Sequence, residues 1–409
     1  MPEKACCATD SGWLIVSTIR TGRIDNTTLE PSEIRSRHED PFLGKVSAHD
    51  FLSKAAQVNF AISPFSIPVQ KNGVTRKGVL IISLDYESYW GVRDKLTLKK
   101  CRKRLLGERR VIGDLLELFQ EYGIHCTWAI VGFLFAETRD ELLAALPNRR
   151  PQYQDPTLSP YSYLNKLGKD EHEDPFHYGA SLIALIAATP HQEVGTHTFS
   201  HYYCLEKGQD ADAFRADLDA AIGIAGKRNF RLESMVFPRN QCNGQYLRIC
   251  KEAGIKAYRG NERSWIYRPK SKEEETLLRR GVRLLDAYLP IAGRNSYGLD
   301  NLGSELPFNI PSSRFFRPFS SKLRILEPLR ISRIRSELRY AAKNGLIYHL
   351  WWHPHNFGDY TDENFRVLKT ILNCFRSMKE DYGMESLTMS ELAQRQMALN
   401  EKNGTWLQA

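Results

Sequence analysis

The chain has 409 residues, of which 42% are hydrophobic and 26% are charged. This composition is globular, and a chain of this length can bury a sizeable core, as one large domain or two ordinary ones, without disulfides to hold it together. The formal charge of +9 favours anionic partners but identifies none.

The eight cysteines are scattered and form no C-x-x-C pair, so we expect reduced, mostly structural thiols and no thiolate zinc site. The first residues lack the apolar run of a signal peptide, and no stretch approaches the roughly eighteen apolar residues of a membrane span. We therefore expect a cytoplasmic protein. Nothing resembles a zinc finger, an RNP motif or a P-loop, so no nucleic-acid partner is expected, and the oligomeric state is not predicted.

Residues 1–76 mix polar, charged and proline residues with weak periodicity and are predicted to be an N-terminal extension, loosely ordered. From Lys77 to residue 400, short apolar runs alternate with segments of helical periodicity. Strands are predicted at 78–85, 126–132, 193–198, 234–238, 255–260, 346–353 and 386–389. Helices are predicted at 109–123, 180–189, 212–226, 244–254, 331–345, 364–380 and 390–399. Two further stretches, 147–178 and 262–330, are predicted to be inserted loops.

This continuous alternation of about seven β-α repeats predicts an α/β fold with a parallel sheet covered by helices. The short strands favour a closed or nearly closed barrel over an open sheet. The chemistry of such barrels lies at the carboxyl ends of the strands, so polar residues that follow apolar strands are the candidates for a functional site.

Asp85 and Glu87 end the first predicted strand. Residues two apart in a strand face the same way, so both carboxylates are expected on one side, with Tyr86 on the other. Two buried carboxylates need a cation or a donor to compensate them, and a metal ion would do this. One carboxylate would then bind the metal while the other acts as a base. The alternative is a strand that has already reached solvent.

His197 and His201 follow the strand predicted at 193–198. Their i, i+4 spacing would place two imidazoles on one face of a helical turn, where a divalent metal could bridge them. Two histidines and one carboxylate with an open water position form a familiar catalytic zinc site. The alternative is a pair of hydrogen-bonded or surface histidines without a metal.

Arg239 follows the strand predicted at 234–238. A guanidinium there could pair with Asp85 or Glu87 and hold that carboxylate ionised. The alternative is one more surface arginine in a basic chain.

A late apolar strand ends at His353, which could protonate a leaving group. His355 is the alternative acid, since it lies just beyond the strand. His349 lies inside the strand and is predicted to be a hydrogen-bonded core histidine.

The stretch 312–339 interleaves Lys and Arg with Phe, Leu and Ile. It could contact a membrane surface or an anionic ligand. The alternative is a packed helix with a solvated basic face.

In this order, the candidate groups resemble the polysaccharide deacetylase family (NodB homology, carbohydrate esterase 4-like) over about residues 77–400. HTFSH (197–201) matches the family's H-[ST]-x-x-H segment in full. SLDYES (83–88) departs from the usual T-F-D-D pattern and looks like the D-x-D spacing of divergent members. FPRNQ (237–241) stands where the arginine-bearing motif is expected, and LIYHLWWH (346–353) is similar to the final histidine motif. The resemblance implies a distorted (β/α)7 barrel.

The resemblance also implies an activity: hydrolysis of a carbon–nitrogen bond other than a peptide bond, with removal of an acyl group from an N-acylated sugar or glycan precursor. The metal, expected to be Zn²⁺, would be held by Glu87, His197 and His201. Asp85, oriented by Arg239, would act as the base and His353 as the acid. The expected substrate contacts are Tyr89, Trp90, Asn240 and Trp352. For the three aromatic residues, the alternative is packing in the core.

Two other functions stay open at this point. Related barrels hydrolyse cyclic amides or ureides, and their site would look much the same. The non-standard first motif also leaves room for a degenerate barrel that binds glycans without turnover.

Overall fold

The computed structural model describes residues 76–404, so the predicted extension lies, except for its last residue, outside the described residues. The strands are β1 (Val79–Tyr86), β2 (Cys126–Ile130), β3 (Gln192–Thr196), β4 (Ser234–Val236), β5 (Ala257–Arg259), β6 (Phe308–Asn309), β7 (Arg314–Phe315), β8 (Ile347–Trp352) and β9 (Glu385–Leu387). The α-helices are α1 (Leu98–Tyr122), α2 (Arg139–Ala144), α3 (Ala180–Ala188), α4 (Ala211–Gly226), α5 (Leu247–Glu252), α6 (Leu277–Asp286), α7 (Glu327–Lys343), α8 (Thr361–Tyr382) and α9 (Met389–Lys402).

The strands form one sheet in the order β6-β5-β4-β3-β2-β1-β8-β7, with β9 paired to the first residues of β1. Every strand pair in it is parallel. The two edge strands belong to one segment, 308–316. Near its start the Ile310 amide donates to the carbonyl of Tyr258 in β5, and at its end the Phe316 amide donates to that of Trp351 in β8.

The segment 308–316 therefore joins the two edges of the sheet. Strands β1 to β5, this segment and β8 make a ring of seven strand positions. The predicted distorted (β/α)7 barrel is confirmed.

The first helix shows how periodicity places the outer layer. Val111, Leu115 and Phe119 share one face, and all three are buried against the sheet. The helix ends at Gly123, whose φ of 62° is the left-handed conformation that glycine adopts without a steric penalty. It begins eleven residues before the predicted start because its first turns, rich in Lys and Arg, bury only a few side chains and show little periodicity.

Within the predicted loop 262–330 the structure has a helix, α6, and the closing segment 308–316. The buried side chains of α6 are Arg279 and Asp286, while Leu277 and Leu278 are 76% and 66% exposed. The apolar residues of α6 repeat at helical spacing, but the buried side chains are the polar ones, so hydrophobic periodicity predicts the wrong buried face. Strands β6 and β7 are two residues each and are defined by their pairing, not by composition.

Part of the basic stretch 312–339 is buried in the core. Arg314 lies 2.7 Å from Glu337, and Arg333 lies 3.1 Å from the same carboxylate. Asp286 of α6 faces both arginines, at 3.4 and 3.2 Å. These two guanidinium groups are buried and paired inside the fold, so they are not available for contact with a ligand or a membrane surface. For the exposed remainder of the stretch, that contact stays a prediction.

No helix between residues 76 and 404 combines the length and apolar character needed to cross a bilayer. The cysteines in this range are free thiols, and all but Cys242 are buried.

Candidate active site

The carboxyl end of the barrel gathers the polar side chains that follow β1, β3, β5 and β8. Asp85 lies near the end of β1 and Glu87 directly after it, and His197 follows β3. Arg259 ends β5, and His353 follows β8. Parallel pairing brings these strand ends to one edge, as predicted from the sequence.

Three of these side chains form a possible metal site. The Glu87 Oε2 atom lies 3.0 Å from His201 Nε2 and 3.5 Å from His197 Nε2. One ligand atom from each residue lies within 4.8 Å of the other two, and all three residues are buried. The sequence predicted this trio, and the structure brings it together.

The loop that carries the histidines is not the helical turn that the i, i+4 spacing predicted. Thr198 and His201 have φ values of 63° and 59°, so the backbone reverses between the two rings. Their centroids are nevertheless 5.1 Å apart. Asp217 of α4 holds the loop, since its carboxylate accepts hydrogen bonds from the backbone amides of Phe199 at 2.7 Å and Ser200 at 3.2 Å. Sequence reasoning missed Asp217, which lies in an ordinary helical segment.

The protonation of the trio suits a divalent cation. His197 Nδ1 donates to the Val236 carbonyl at 2.9 Å, which orients the ring so that Nε2 faces Glu87. Burial raises the pKa of Glu87, but His353, His197 and His201 outweigh it and hold that pKa well below its usual range. Burial also lowers the pKa of His201 to about 4, so this imidazole is neutral at pH 7. Two imidazoles and one carboxylate are ligands that catalytic zinc sites use, so the residues fit such an ion.

The Glu87 carboxylate packs directly against Gly91, so a substitution of Gly91 tests the site. A Cβ atom at position 91 would lie 1.9 Å from Glu87 Cδ, so Gly91→Ala must push the carboxylate aside. We expect the variant to fold and to lose about 10- to 100-fold in metal affinity, as displaced ligand supports commonly do. Metal titration followed by mass spectrometry would measure this loss.

Gly113→Ala is the matched control, because a Cβ there meets nothing within 4 Å. It lies inside α1, so alanine should leave metal affinity unchanged and stabilise the helix by about 0.5–1 kcal/mol. Equal metal affinity in both variants would contradict the packing of Glu87 over Gly91.

Asp85 is held by an arginine that the sequence analysis did not select. Arg259 donates from both terminal nitrogens to the two carboxylate oxygens of Asp85, each at 2.7 Å. It also donates to Ser83 Oγ at 3.0 Å and to Asn240 Oδ1 at 2.9 Å. Burial raises the pKa of Asp85, but Arg259 and the nearby histidines outweigh this effect. The net pKa is below its usual value, so the carboxyl is ionised at neutral pH.

The predicted pairing of Arg239 with Asp85 or Glu87 is wrong. Arg239 adopts φ 55°, and its side chain forms an ion pair with Asp94 and lies over the Tyr203 ring at 4.1 Å. The missed signal was the short strand 255–260, which also ends in an arginine at the same edge of the sheet.

His353 faces both carboxylates. Its Nε2 atom lies 3.6 Å from Glu87 Oε1 and 3.8 Å from Asp85 Oδ2. The side-chain amide of Asn356 lies 3.3 Å from His353 Nδ1, and an amide can turn either its nitrogen or its oxygen to that atom. The side chain is 22% exposed, so it remains within reach of a ligand.

The other two histidines of this region have different surroundings. His355 lies 4.0 Å from Glu108 and is buried, so the geometry favours His353 as the proton donor. His349 contacts Ser83 Oγ at 2.8 Å in the core, and burial lowers its pKa to about 3.

The aromatic substrate contacts predicted from the sequence are wrong. Trp90 and Trp352 are 1% and 0% exposed, and Tyr89 is 4% exposed. Side chains alternate along a strand, so Trp352 packs against Phe357 in the helix layer instead of facing the site. Trp351 contacts the site instead, with the Arg259 guanidinium 4.0 Å from its ring centroid. The predicted contact of Asn240 with substrate stays a prediction.

No protein-family model matches this chain, and no curated protein matches it in sequence. Among solved structures, a candidate polysaccharide deacetylase from Mycobacterium smegmatis matches with a TM-score of 0.51 and 13% identity, over 82% of this chain and 95% of that one. A PuuE allantoinase gives a TM-score of 0.48 and 11% identity, over 83% and 98% of the two chains. A protein from Pseudomonas aeruginosa PAO1 described as a polysaccharide deacetylase gives 0.46 and 12%, over 77% and 89%.

The first of these similarities shows the fold: residues 76–404 adopt the distorted barrel of the polysaccharide deacetylases. The resemblance inferred from the sequence motifs is confirmed at this level.

Proposed function

We propose that the protein is a Zn²⁺-dependent hydrolase that removes an acyl group, acetyl in the simplest case, from the amide nitrogen of an N-acylated sugar or glycan precursor. The observation that carries this proposal is the convergence of Glu87, His197 and His201 beside the ionised Asp85. The fold supports the choice of substrate class, because the M. smegmatis structure that shares it is described as a polysaccharide deacetylase.

Each side chain has a distinct task in this reaction. An ion held by Glu87, His197 and His201 would supply an activated water and a polarised acyl carbonyl. Asp85 accepts the proton of the attacking water, and Arg259 keeps this carboxylate ionised and oriented.

The second proton transfer belongs to His353. In its imidazolium form, His353 donates the Nε2 proton to the departing amine, which is a poor leaving group without it, and becomes a neutral imidazole. Asp85 Oδ2 lies 3.8 Å away, so the proton taken from water can return to the imidazole after a small movement.

The proposal is tested by metal content and acetate release. Purified protein is expected to contain about one zinc equivalent at this site, and His197→Ala should lose it. The wild-type protein should release acetate from at least one N-acetylated sugar in a panel of monosaccharides, nucleotide-linked sugars and chito-oligosaccharides. A chelator should abolish that release, and added Zn²⁺ should restore it.

Other outcomes identify other functions. Metal binding with no acetate release, but with turnover of cyclic amides or ureides, would identify a hydrolase of another carbon–nitrogen bond. Glycan binding without turnover of either class would identify a degenerate barrel. A protein that binds no metal even after incubation with Zn²⁺ would overturn the mechanism.

We also propose that the substrate is cytoplasmic, such as a nucleotide-linked or lipid-linked sugar precursor. Fractionation of cells that express the full chain tests this point, since recovery outside the cytoplasm would contradict it.

A further inference from the structure

A second group of metal-ligand side chains lies at the opposite end of the barrel. His125 precedes β2 and His191 precedes β3, and these strands are parallel neighbours in which Cys126 pairs with Gln192. One residue earlier, the same register brings the two histidines side by side. Glu391, in the first turn of α9, completes the group.

The three side chains are in contact. His125 Nδ1 lies 2.7 Å and 3.0 Å from the two carboxylate oxygens of Glu391. The imidazole rings of His125 and His191 are stacked, with centroids 4.0 Å apart and planes inclined by 10°. One ligand atom from each residue lies within 4.8 Å of the other two, as in the site at the other end.

Solvent reaches this group, unlike the buried Glu87 cluster. His191 is exposed, and His125 and Glu391 are partly buried. A surface cavity of about 410 Å³ is lined by His191, Glu391 and the partly buried Glu193, so water ligands have room beside the histidines. Arg231 also lines the cavity, but it lies 3.1 Å from Glu233, whose negative charge offsets that of the guanidinium.

We propose that His125, His191 and Glu391 bind a second Zn²⁺ ion that links the starts of β2 and β3 to the start of α9. The ion replaces the proton between His125 Nδ1 and Glu391, and the exposed His191 ring turns about its Cβ–Cγ bond to direct a nitrogen at it. Two imidazoles and a carboxylate favour zinc over magnesium or calcium, which prefer all-oxygen ligands. Water from the cavity fills the fourth position.

The site would act on stability instead of on the reaction. It joins parts of the chain that are distant in sequence. It also lies at the amino ends of the strands, whereas the chemistry of such barrels lies at the carboxyl ends. An ion that binds only the folded chain stabilises it by RT ln(1 + [Zn²⁺]/Kd), about 2.7 kcal/mol at a hundredfold excess over Kd.

The test counts zinc ions bound per chain by native mass spectrometry after equilibration with Zn²⁺. Two variants preserve the local structure. His191→Asn suits the φ of 65° at this position, because asparagine tolerates the left-handed conformation. Glu391→Gln removes the charge but keeps the capping box with Thr388, because glutamine can take the place of glutamate in such a box.

We expect two ions in the wild-type chain and one in His191→Asn, in Glu391→Gln and in His197→Ala. His172→Ala removes an exposed histidine elsewhere and should keep both ions. Zn²⁺ should also raise the melting temperature of His197→Ala but not that of a His197→Ala/His191→Asn double variant. Wild-type stoichiometry in both His191→Asn and Glu391→Gln would overturn the second site. Wild-type stoichiometry in His197→Ala would count only against the Glu87 site.

Discussion

Asp85→Asn is expected to slow acetate release by about 10²- to 10⁴-fold, the usual contribution of a positioned general base, while zinc stays bound. Asparagine has nearly the same shape and can still accept a hydrogen bond from Arg259, but it cannot take a proton from water. The ligand atoms of Glu87, His197 and His201 are untouched by the change. Steady-state kcat together with zinc content per chain measures both parts of the expectation.

The control for this variant is Asp174→Asn. Asp174 is a buried carboxylate paired with His177 at 2.7 Å, outside the cluster, so its replacement should leave kcat near the wild-type value. If Asp85→Asn instead lost its zinc, Asp85 would be a ligand and Glu87 the base. A kcat within a few-fold of wild type would remove Asp85 from the reaction altogether.

Arg259→Gln is expected to destabilise the protein by about 3–5 kcal/mol, because it leaves a buried carboxylate without its partner. The Arg259 side chain is fully buried, and its hydrogen bonds hold Ser83, Asp85 and Asn240 at one point of the barrel. Urea unfolding followed by tryptophan fluorescence measures the loss. Arg231→Gln is the control: its side chain is 79% exposed, and surface ion pairs of this kind contribute about 0–1 kcal/mol.

A double-mutant cycle identifies which arginine pairs with Asp85. In the double variant Asp85→Asn/Arg259→Gln neither buried charge remains, so the destabilisation should be clearly smaller than the sum of the two single changes. Asp85→Asn and Arg239→Gln share no ion-pair partner and should be additive. Additivity for Asp85 with Arg259, together with coupling for Asp85 with Arg239, would support the pairing that the sequence predicted.

The sequence predicted the barrel because most of its strands and helices can be identified from the residues within each segment. Strands such as β1 are short apolar runs, and helices such as α1 show their buried face as a repeating pattern within a few turns. The same locality placed Asp85, Glu87, His197 and His353 at strand ends, and parallel pairing then brings those ends together.

Features that depend on pairing between distant segments could not be predicted in this way. The segment 308–316 closes the ring through only a few hydrogen bonds on each side, and its two short strands have no periodicity of their own. The meeting of His125 and His191 likewise depends on the register of β2 against β3, which neither segment shows by itself.

By itself, the sequence therefore determined seven of the strands and which polar groups follow them, because these properties come from neighbouring residues. Only the tertiary structure decided that Arg259 and not Arg239 holds Asp85, and that Trp351 and not Trp352 faces the site. Two arginines that follow neighbouring strands look alike in sequence. Backbone conformation and side-chain alternation separate them, since a left-handed φ at Arg239 turns its side chain to Asp94 while β5 carries Arg259 into the barrel.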